Sequence, residues 1–453
     1  MKHSYSIKKL YEKPQFHNNY EHLLKGWVVS NRGNKKVRFI TVNDGSSILN
    51  LQVVFKGEQF DFDLLDSLRP GSAIVVKGIL KYTPEAQQPI EMQAVELLDS
   101  RNVDEDYPIQ NQEMKLETLR ELPHLRQRTK INRAIFLVRS TLAFEVHRYF
   151  NEREFYYMNS PIITSNDGEG AGETFLVNDH SEEPFFGKGK KATLGVTGQL
   201  QGEAAALGMN KIYTFAPTFR AEKSNTKRHL AEFWMIEPEV AFYDLKDAIK
   251  LADDMLKVVI RNTLFKRREE IKFLNDTVDN QLIERLEHFI ETPLQIVDYQ
   301  DAIKQLAEVK HLFENQDIKF GLDLATEHEK YLTEVIYKAP VAVINFPKDF
   351  KAFYMTLNED NKTVASFDLL VPGVGELVGG SQRESSVEKL SARIKELGID
   401  QEDLQWYIDL RRFGDLGSAG FGVGFERLVM YVTGIENIRD VIPFPRTAGN
   451  IRM

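Results

Sequence analysis

The chain has 453 residues, 42% of them apolar and 28% charged, with a formal net charge of −9 and no cysteine. This composition belongs to a globular protein of two or more domains, and it excludes disulfides, thiolate nucleophiles and Cys-ligated zinc. No run approaches the ~18 apolar residues of a membrane span, the segment MKHSYSIKKLYEKPQ lacks the apolar core of a secretory signal, and the acidic total argues against a general DNA or RNA coat protein while leaving room for a local basic patch.

Residues 24–100 predict short strands. Apolar segments at Gly26–Val29, Val37–Val42, Ile48–Phe55, Ala73–Leu80 and Ile90–Leu98 are separated by turn residues at Asn31-Arg32-Gly33-Asn34, Asn43-Asp44-Gly45, Pro70-Gly71 and Pro84. Five strands in about 75 residues suit a small closed barrel of the OB type, with a generic β-domain as the alternative. Residues 99–112, DSRNVDEDYPIQNQ, are polar and acidic and read as a linker. The boundaries drawn are 1–103 for the barrel domain, 104–125 for the linker or hinge and 126–453 for a second domain. That domain opens with Ile131, Ile135, Val138, Leu142, Val146 and Tyr149 at helical spacing. A strand-like run, Phe155–Met158, and Pro161 follow, and residues 245–272 and 384–413 read as helical and charged. The other strands come in hairpin-like pairs, which favours an α+β domain with an antiparallel sheet flanked by helices.

The chemistry concentrates in three places. In IYTFAPTFRAE (212–222), Tyr213, Phe215, Pro217, Phe219 and Ala221 share one face, and Thr214, Thr218, Arg220 and Glu222 the other. In FWMIEPEVAF (233–242), Trp234, Ile236, Val240 and Phe242 form the core face and Phe233, Met235, Glu237 and Glu239 the opposite one. A cationic loop with Lys223, Lys227, Arg228 and His229 joins them. A third strand over Thr363–Val371 carries Asp368 and leads into GVGELVGGSQRE, where glycines flank Glu376 and Arg383 follows. Two such carboxylates can hold Mg²⁺ together with substrate phosphates. The spacing of GVGELVGG is wrong for a dinucleotide fingerprint. Last, SAGFGVGFERLVMYVTG runs from a glycine-rich strand into a helix starting near Phe425. Arg427 in its first turn opposes the helix dipole, and a polyphosphate would balance it there. The ten histidines show no HxxxH or HExxH spacing, and there is no GxSxG elbow or GxxxxGK[ST] loop.

Arg220-Ala-Glu222, a loop, then His229 and Phe233 resemble motif 2 of the class II aminoacyl-tRNA synthetases. Gly422-Val-Gly424-Phe-Glu-Arg427 resembles motif 3, and the long helix followed by a strand and Pro161 resembles motif 1, the dimer interface of that class. The barrel ahead of this region resembles the anticodon-binding domain of the subclass for aspartate, asparagine and lysine. Within it, TGQLQGE (197–203), FRAEKSNTKRHLAEFWMIEPE, PGVGELVGGSQRE and IPFPRT are closest in kind to the asparaginyl-tRNA synthetases. Aspartate enzymes carry a lysine where this chain has Gly202, and lysine enzymes usually have Asp in place of Glu426. Gln201-Gly202 departs from the apolar pair expected in what reads as a strand.

The resemblance implies asparagine–tRNA ligation through an adenylate, with ATP, L-asparagine and tRNA(Asn) as substrates, Mg²⁺ as cofactor, a homodimer and a cytoplasmic location. It implies that Arg220 contacts the α-phosphate and the amino-acid carboxylate, that Glu222 reads the adenine amino group and that Phe233 stacks on the ring. His229 and Arg427 would hold the β- and γ-phosphates, and Asp368 and Glu376 would ligate Mg²⁺. Glu169, Gln199 and Glu237 would bind the ammonium, and Arg383 with Ser381 would meet the asparagine side chain. Glu203 and Glu237 would add negative charge that disfavours aspartate. In the barrel, Arg32, Phe39 and Gln52 match positions that read the central anticodon uridine. Two rivals carry less of the sequence. A ligase making free asparagine would lack the barrel, and a non-catalytic RNA-binding relative would not need Arg220, Glu376 and Arg427.

Overall fold

The structure is a computed structural model that describes residues 4–109, 114–165, 173–178, 185–187, 191–224 and 226–453. The chain forms two compact units, Met1–Leu137 with Lys272–Leu274, and Val138–Ile271 with Asn275–Met453. The first contains a closed five-stranded barrel of β1 (Glu21–Gly33), β2 (Val37–Asn43), β3 (Leu51–Lys56), β4 (Ala73–Tyr82) and β5 (Ile90–Arg101) in the order β1-β2-β3-β5-β4. All pairs are antiparallel except β3 with β5. Alternate residues turn inward, so Ile74, Val76 and Leu80 of β4 meet Val28, Ile40, Val53, Phe55 and Met92 in one core. β1 is long because it pairs with both β2 and β4, which closes the barrel. β5 runs to Arg101, into the segment that reads as a linker, because its last residues still pair with β4, Arg101 opposite Ala73.

The second unit is built on an eight-stranded sheet. Its strands are β6 (Tyr156–Tyr157), β9 (Lys211–Phe219), β10 (Glu232–Ala241), β11 (Gln295–Asp298), β12 (Val341–Ile344), β13 (Ser366–Val371), β14 (Gly375–Gln382) and β15 (Ser418–Gly424), ordered β11-β12-β13-β14-β15-β10-β9-β6. A separate pair joins β7 (Ile163–Thr164) to β8 (Thr193–Leu194). The run from β12 to β9 is antiparallel throughout, as hairpin-like sequence pairs require, and parallel pairing occurs only at the two edges. Helices Leu245–Lys266 and Phe425–Thr433 pack on this sheet. The helix Lys130–Asn151 buries Ile135, Val138, Leu142, Val146 and Tyr149, the stripe legible from spacing. The charged stretches resolve into Leu245–Lys266 and Arg268–Thr277, and into Val387–Glu396 and Gln405–Arg412.

Two local expectations are corrected. TGQLQGE does not form a strand; it enters the helix Gln199–Met209, whose first turn follows Gly198. Without a side chain at 202 the helix lies close on the sheet, since a Cβ there would sit 3.2 Å from Ile212 Cδ1 and 3.5 Å from Glu239 Cγ. Phe242 is not core. β10 stops at Ala241, Phe242 takes a φ of +67°, and its N–H donates to Gly417 O, so the ring turns outward.

Candidate functional site

The central strands carry a cleft on one face. Reading across the register, Glu239 lies opposite Gly420, and Gly420 opposite Ser381; one step along, Gly422 lies opposite Gly379, and Gly379 opposite Asp368. On β15 the alternation of SAGFGVG places Phe421 and Val423 in the core, with Gly420, Gly422 and Gly424 on the site face. Those glycines make room for charged neighbours. A Cβ on Gly420 would lie within covalent-clash range of both Glu239 carboxylate oxygens, and one on Gly379 would lie 3.2 Å from Glu376 Oε1 and 3.7 Å from Asp368 Oδ1.

The cleft, of about 180 Å³, is lined by Arg220, Glu222, Arg228, His229, Phe233, Glu376 and Arg427 among others. Every residue expected around a nucleotide is therefore in one place except Asp368, which reaches the same spot from β13 beside Gly379. Arg220 lies over the Phe233 ring at 5.7 Å. His229 Nε2 is 3.9 Å from a Glu222 oxygen, and its Nδ1 meets Ser224 Oγ at 3.2 Å. Arg427, in the first turn of its helix, pairs with Glu376 at 3.3 Å, both about one-third exposed. A pair this exposed contributes little to stability.

Asp368 is held by Lys351, whose Nζ donates to its two oxygens at 3.0 and 2.8 Å. Burial pushes Asp368 up to about 6 against that pull, with Glu376 adding to the rise. Sequence reasoning missed Glu329. It accepts the Glu376 N–H at 3.1 Å, and burial, then Glu376, pushes its carboxyl up to about 7. Glu334 likewise accepts from Gly373 N at 2.8 Å, so two glutamates of one helical segment pin the turn between β13 and β14. Among the described residues no three His, Asp or Glu side chains converge as a metal centre by themselves.

The other end of the site holds the residues expected around an amino acid. Glu237 is buried and accepts from Thr197 Oγ1, from Gly198 N at 3.0 Å and from Thr214 Oγ1 at 2.9 Å. Those contacts explain why Thr214, on the polar face of β9, is buried. A carboxylate offers about four acceptor positions, so one remains. Gln199 is buried, and its Nε2 has no partner among the described residues. Glu169 lies outside the described residues. Arg383 is 3% exposed, donating through Nε to Glu239 Oε2 at 3.1 Å, through Nη2 to Oε1, and through Nη1 to Ser381 Oγ at 2.6 Å. Burial pushes the Glu239 carboxyl up and Arg383 opposes that rise; a two-point guanidinium contact favours the carboxylate form. Glu239 is the second residue missed. The alternation of β10 shows which face it occupies, but its partner is 144 residues away. Glu203 does not face the site as a free charge: it pairs with Arg411 and Tyr407.

In the barrel, Arg32, Phe39 and Gln52 share the outer face. Arg32 lies opposite Phe39, and Gln52 opposite Thr41, two residues on from Phe39. Arg32 Nη2 donates to Gln52 Oε1 at 3.2 Å and Gln52 Nε2 to Glu91 Oε2 at 3.4 Å, so Glu91 of β5 extends the polar row.

Comparison with known proteins follows this geometry. Residues 115–448 match the family model described as tRNA synthetases class II (D, K and N), and residues 23–98 match an OB-fold nucleic acid binding domain. The chain is 59% identical over 448 residues to an asparagine–tRNA ligase of Mycoplasma mobile, covering 99% of this chain and 100% of that one. It is 58% identical to the enzyme of the same name from Metamycoplasma arthritidis, covering 99% of each. Among solved structures it resembles asparaginyl-tRNA synthetase from Pyrococcus horikoshii complexed with asparaginyl-adenylate, with a TM-score of 0.88, 32% identity and complete coverage of both chains.

One residue of the cleft wall tests its construction. Glu426 is 1% exposed and accepts from Arg139 Nη2 at 2.6 Å and Trp234 N at 2.9 Å, tying the long helix to β10. Glu426→Ala strands a mostly buried guanidinium, and a loss of about 3–5 kcal/mol is expected. Urea unfolding followed by tryptophan fluorescence reads it, with Glu426→Gln falling between the variant and the parent.

Proposed function

The chain belongs to the class II asparaginyl-tRNA synthetases, and from that membership we propose how its own residues divide the work. The reaction joins L-asparagine to tRNA(Asn) using ATP, through an asparaginyl-adenylate, with release of pyrophosphate and AMP. Activation is attack by the asparagine carboxylate on the α-phosphate, so two anions must approach each other. Arg220, at the rim of the cleft beside Phe233, bridges them. Phe233 takes the adenine on its ring and Glu222 accepts from the adenine amino group. His229 and Arg427 hold the β- and γ-phosphates, with Arg427 exchanging its contact to Glu376 for phosphate.

Asp368 and Glu376 fit Mg²⁺, since their two carboxylates converge over Gly379. When bound with ATP, the ion would neutralise the departing pyrophosphate. A pair of protein carboxylates with phosphates completing the shell is the usual way this cation is held. Little proton transfer is required, so positioning and charge compensation carry the rate. The terminal adenosine hydroxyl of tRNA(Asn) then takes the aminoacyl group.

The observation that carries the choice of amino acid is the buried Glu239–Arg383 pair. An amide presents an acceptor oxygen and a donor nitrogen, and Arg383 with Glu239 presents a donor and an acceptor. Aspartate would set its second oxygen against the Glu239 carboxylate. Gln199, whose amide nitrogen has no partner among the described residues, and the remaining acceptor position of Glu237 bind the ammonium, a role shared with Glu169. In the barrel, Phe39 stacks an unstacked anticodon base while Arg32 and Gln52 read its edge, the usual mode for single-stranded RNA.

We further propose a cytoplasmic homodimer. No helix among the described residues is long and apolar enough to cross a membrane. Phe144 on the long helix is 73% exposed, and Tyr156, Tyr157, Ile162 and Ile163 around the edge strand β6 are exposed as well. Apolar side chains gathered at a helix and a free strand edge mark an association surface.

Five measurements test these assignments. Arg427→Ala should lower asparagine-dependent pyrophosphate exchange by about 10²–10³-fold with an unchanged circular dichroism spectrum; full activity would remove Arg427 from the nucleotide site. Phe39→Ala should reduce tRNA charging by about tenfold, the worth of one stacked base, and leave pyrophosphate exchange at the parental rate. The parent should prefer asparagine over aspartate by about 10⁴-fold in the exchange assay. Gly202→Lys, whose ammonium would compete with Arg383 for Glu239, should lower asparagine activation by about 10²-fold, and an unchanged rate would place position 202 away from the pocket. Light scattering at micromolar concentration should give about twice 52.2 kDa.

A further inference from the structure

Behind the pair that meets the asparagine amide lies a second buried ion pair, which the reaction described above does not use. Glu203 sits in the helix Gln199–Met209 and Arg411 near the end of the helix Gln405–Arg412, and the side chains of both are wholly buried. Arg411 Nη2 donates to Glu203 Oε1, and the Tyr407 hydroxyl donates to Glu203 Oε2. Arg411 Nη2 also reaches the Tyr407 hydroxyl at 3.0 Å, and its guanidinium lies 4.0 Å from the centre of that ring.

Arg411 has a second attachment. Its Nε donates to the main-chain oxygen of Glu384 at 2.8 Å. Glu384 directly follows Arg383 and is itself fixed: its carboxylate accepts from Leu357 N at 3.1 Å and Ser386 N at 3.0 Å, and its N–H donates to Tyr354 O at 2.8 Å. The Tyr354 ring lies 5.2 Å from the Arg383 guanidinium. Glu203 is equally close to the pocket on its own side, because it adjoins Gly202, which packs against the Glu239 side chain.

One guanidinium therefore spans two segments that carry the amino-acid site, the helix with Gln199 and Gly202 and the end of β14 with Ser381 and Arg383. We propose that Glu203, Tyr407 and Arg411 form a positioning clamp for asparagine selection, holding the helix Gln199–Met209 and the Arg383 end of β14 at the separation that gives Glu239 and Arg383 their two-point geometry. The proposal rests on the reading that Glu239 and Arg383 meet the asparagine amide. Charge gives the clamp its direction. Glu203 acts across the interior on both Glu239 and Arg383. Without Arg411 its buried charge is uncompensated, and the guanidinium that it would draw is Arg383.

The test uses the full-length protein in asparagine-dependent pyrophosphate exchange, with KM read separately for asparagine and ATP. Arg411→Gln and Glu203→Gln should raise the KM for asparagine by roughly tenfold or more while the KM for ATP stays within about twofold. Arg411→Lys should recover part of the loss, and Tyr407→Phe, which removes one hydroxyl, should give a smaller rise of the same selectivity. Should Arg411→Gln fail to fold, Tyr407→Phe and Arg411→Lys decide by the same criterion. Arg383→Met tests the premise independently. If Arg383→Met raises the KM for asparagine and the clamp variants do not, or if they raise both KM values alike, the clamp is overturned and the pocket reading stands. If Arg383→Met leaves the asparagine KM unchanged, the pocket reading fails and the clamp falls with it.

Discussion

A guanidinium and a carboxylate buried together, Arg383 and Glu239, set the geometry on which the catalytic unit depends. Neither charge is tolerable alone at that depth, so the strands that carry them must be brought to one register and kept there. β10 holds Glu239, β14 ends just before Arg383, and β15 lies between them with Gly420 opposite both Glu239 and Ser381. Any side chain at 420 would occupy the space of the Glu239 carboxylate. The glycine-rich strand is thus the spacer that lets an ion pair form across it.

The same register places the second centre of charge. Shifted by one pleat, Gly422 and Gly379 align with Asp368, and Glu376 and Arg427 close over them. The two ends of the cleft differ in a way that suits their tasks. Around Glu239 the charges are buried and paired with each other, which in the proposed function suits discrimination between an amide and a carboxylate. Around Arg427 and Glu376 they are half-exposed and exchangeable, which suits a substrate that brings several negative charges and leaves with most of them. Lys351 beside Asp368 and the Glu329 and Glu334 contacts to the β13–β14 turn hold this acidic corner in shape.

Burial also explains where positional reading of charge misleads. Glu203 and Glu237 are both buried acids on neighbouring elements, yet only Glu203 has its charge compensated by a cation. Glu203 is taken up by Arg411 and Tyr407, and Glu237 by two hydroxyls and a backbone N–H. In the proposed function the preference for an amide then falls to Glu239, whose carboxylate is fixed by Arg383.

Much of this was legible in the chain. The five barrel strands, the long amphipathic helix, the two-faced hairpin with Arg220, Glu222, Phe233 and Glu237, and the helix opening at Phe425 all follow from local periodicity, which depends on near neighbours alone. The resemblance to motifs of fixed spacing supplied the candidate residues for a nucleotide and an amino acid, and the structure gathers Arg220, Glu222, His229, Phe233, Glu376 and Arg427 around one cleft. Three features were not legible. TGQLQGE became a helix, because Gly202 lets it lie on the sheet against Ile212 and Glu239. Phe242 left the core, because a left-handed residue ends β10. The partnerships Glu239–Arg383, Glu203–Arg411 and Glu329–Glu376 join residues 47 to 208 positions apart. Sequence by itself determined which side chains carry charge and which face of each strand they occupy. Only the tertiary structure decided which charges cancel, because cancellation depends on distance and burial after strands far apart in the chain are paired.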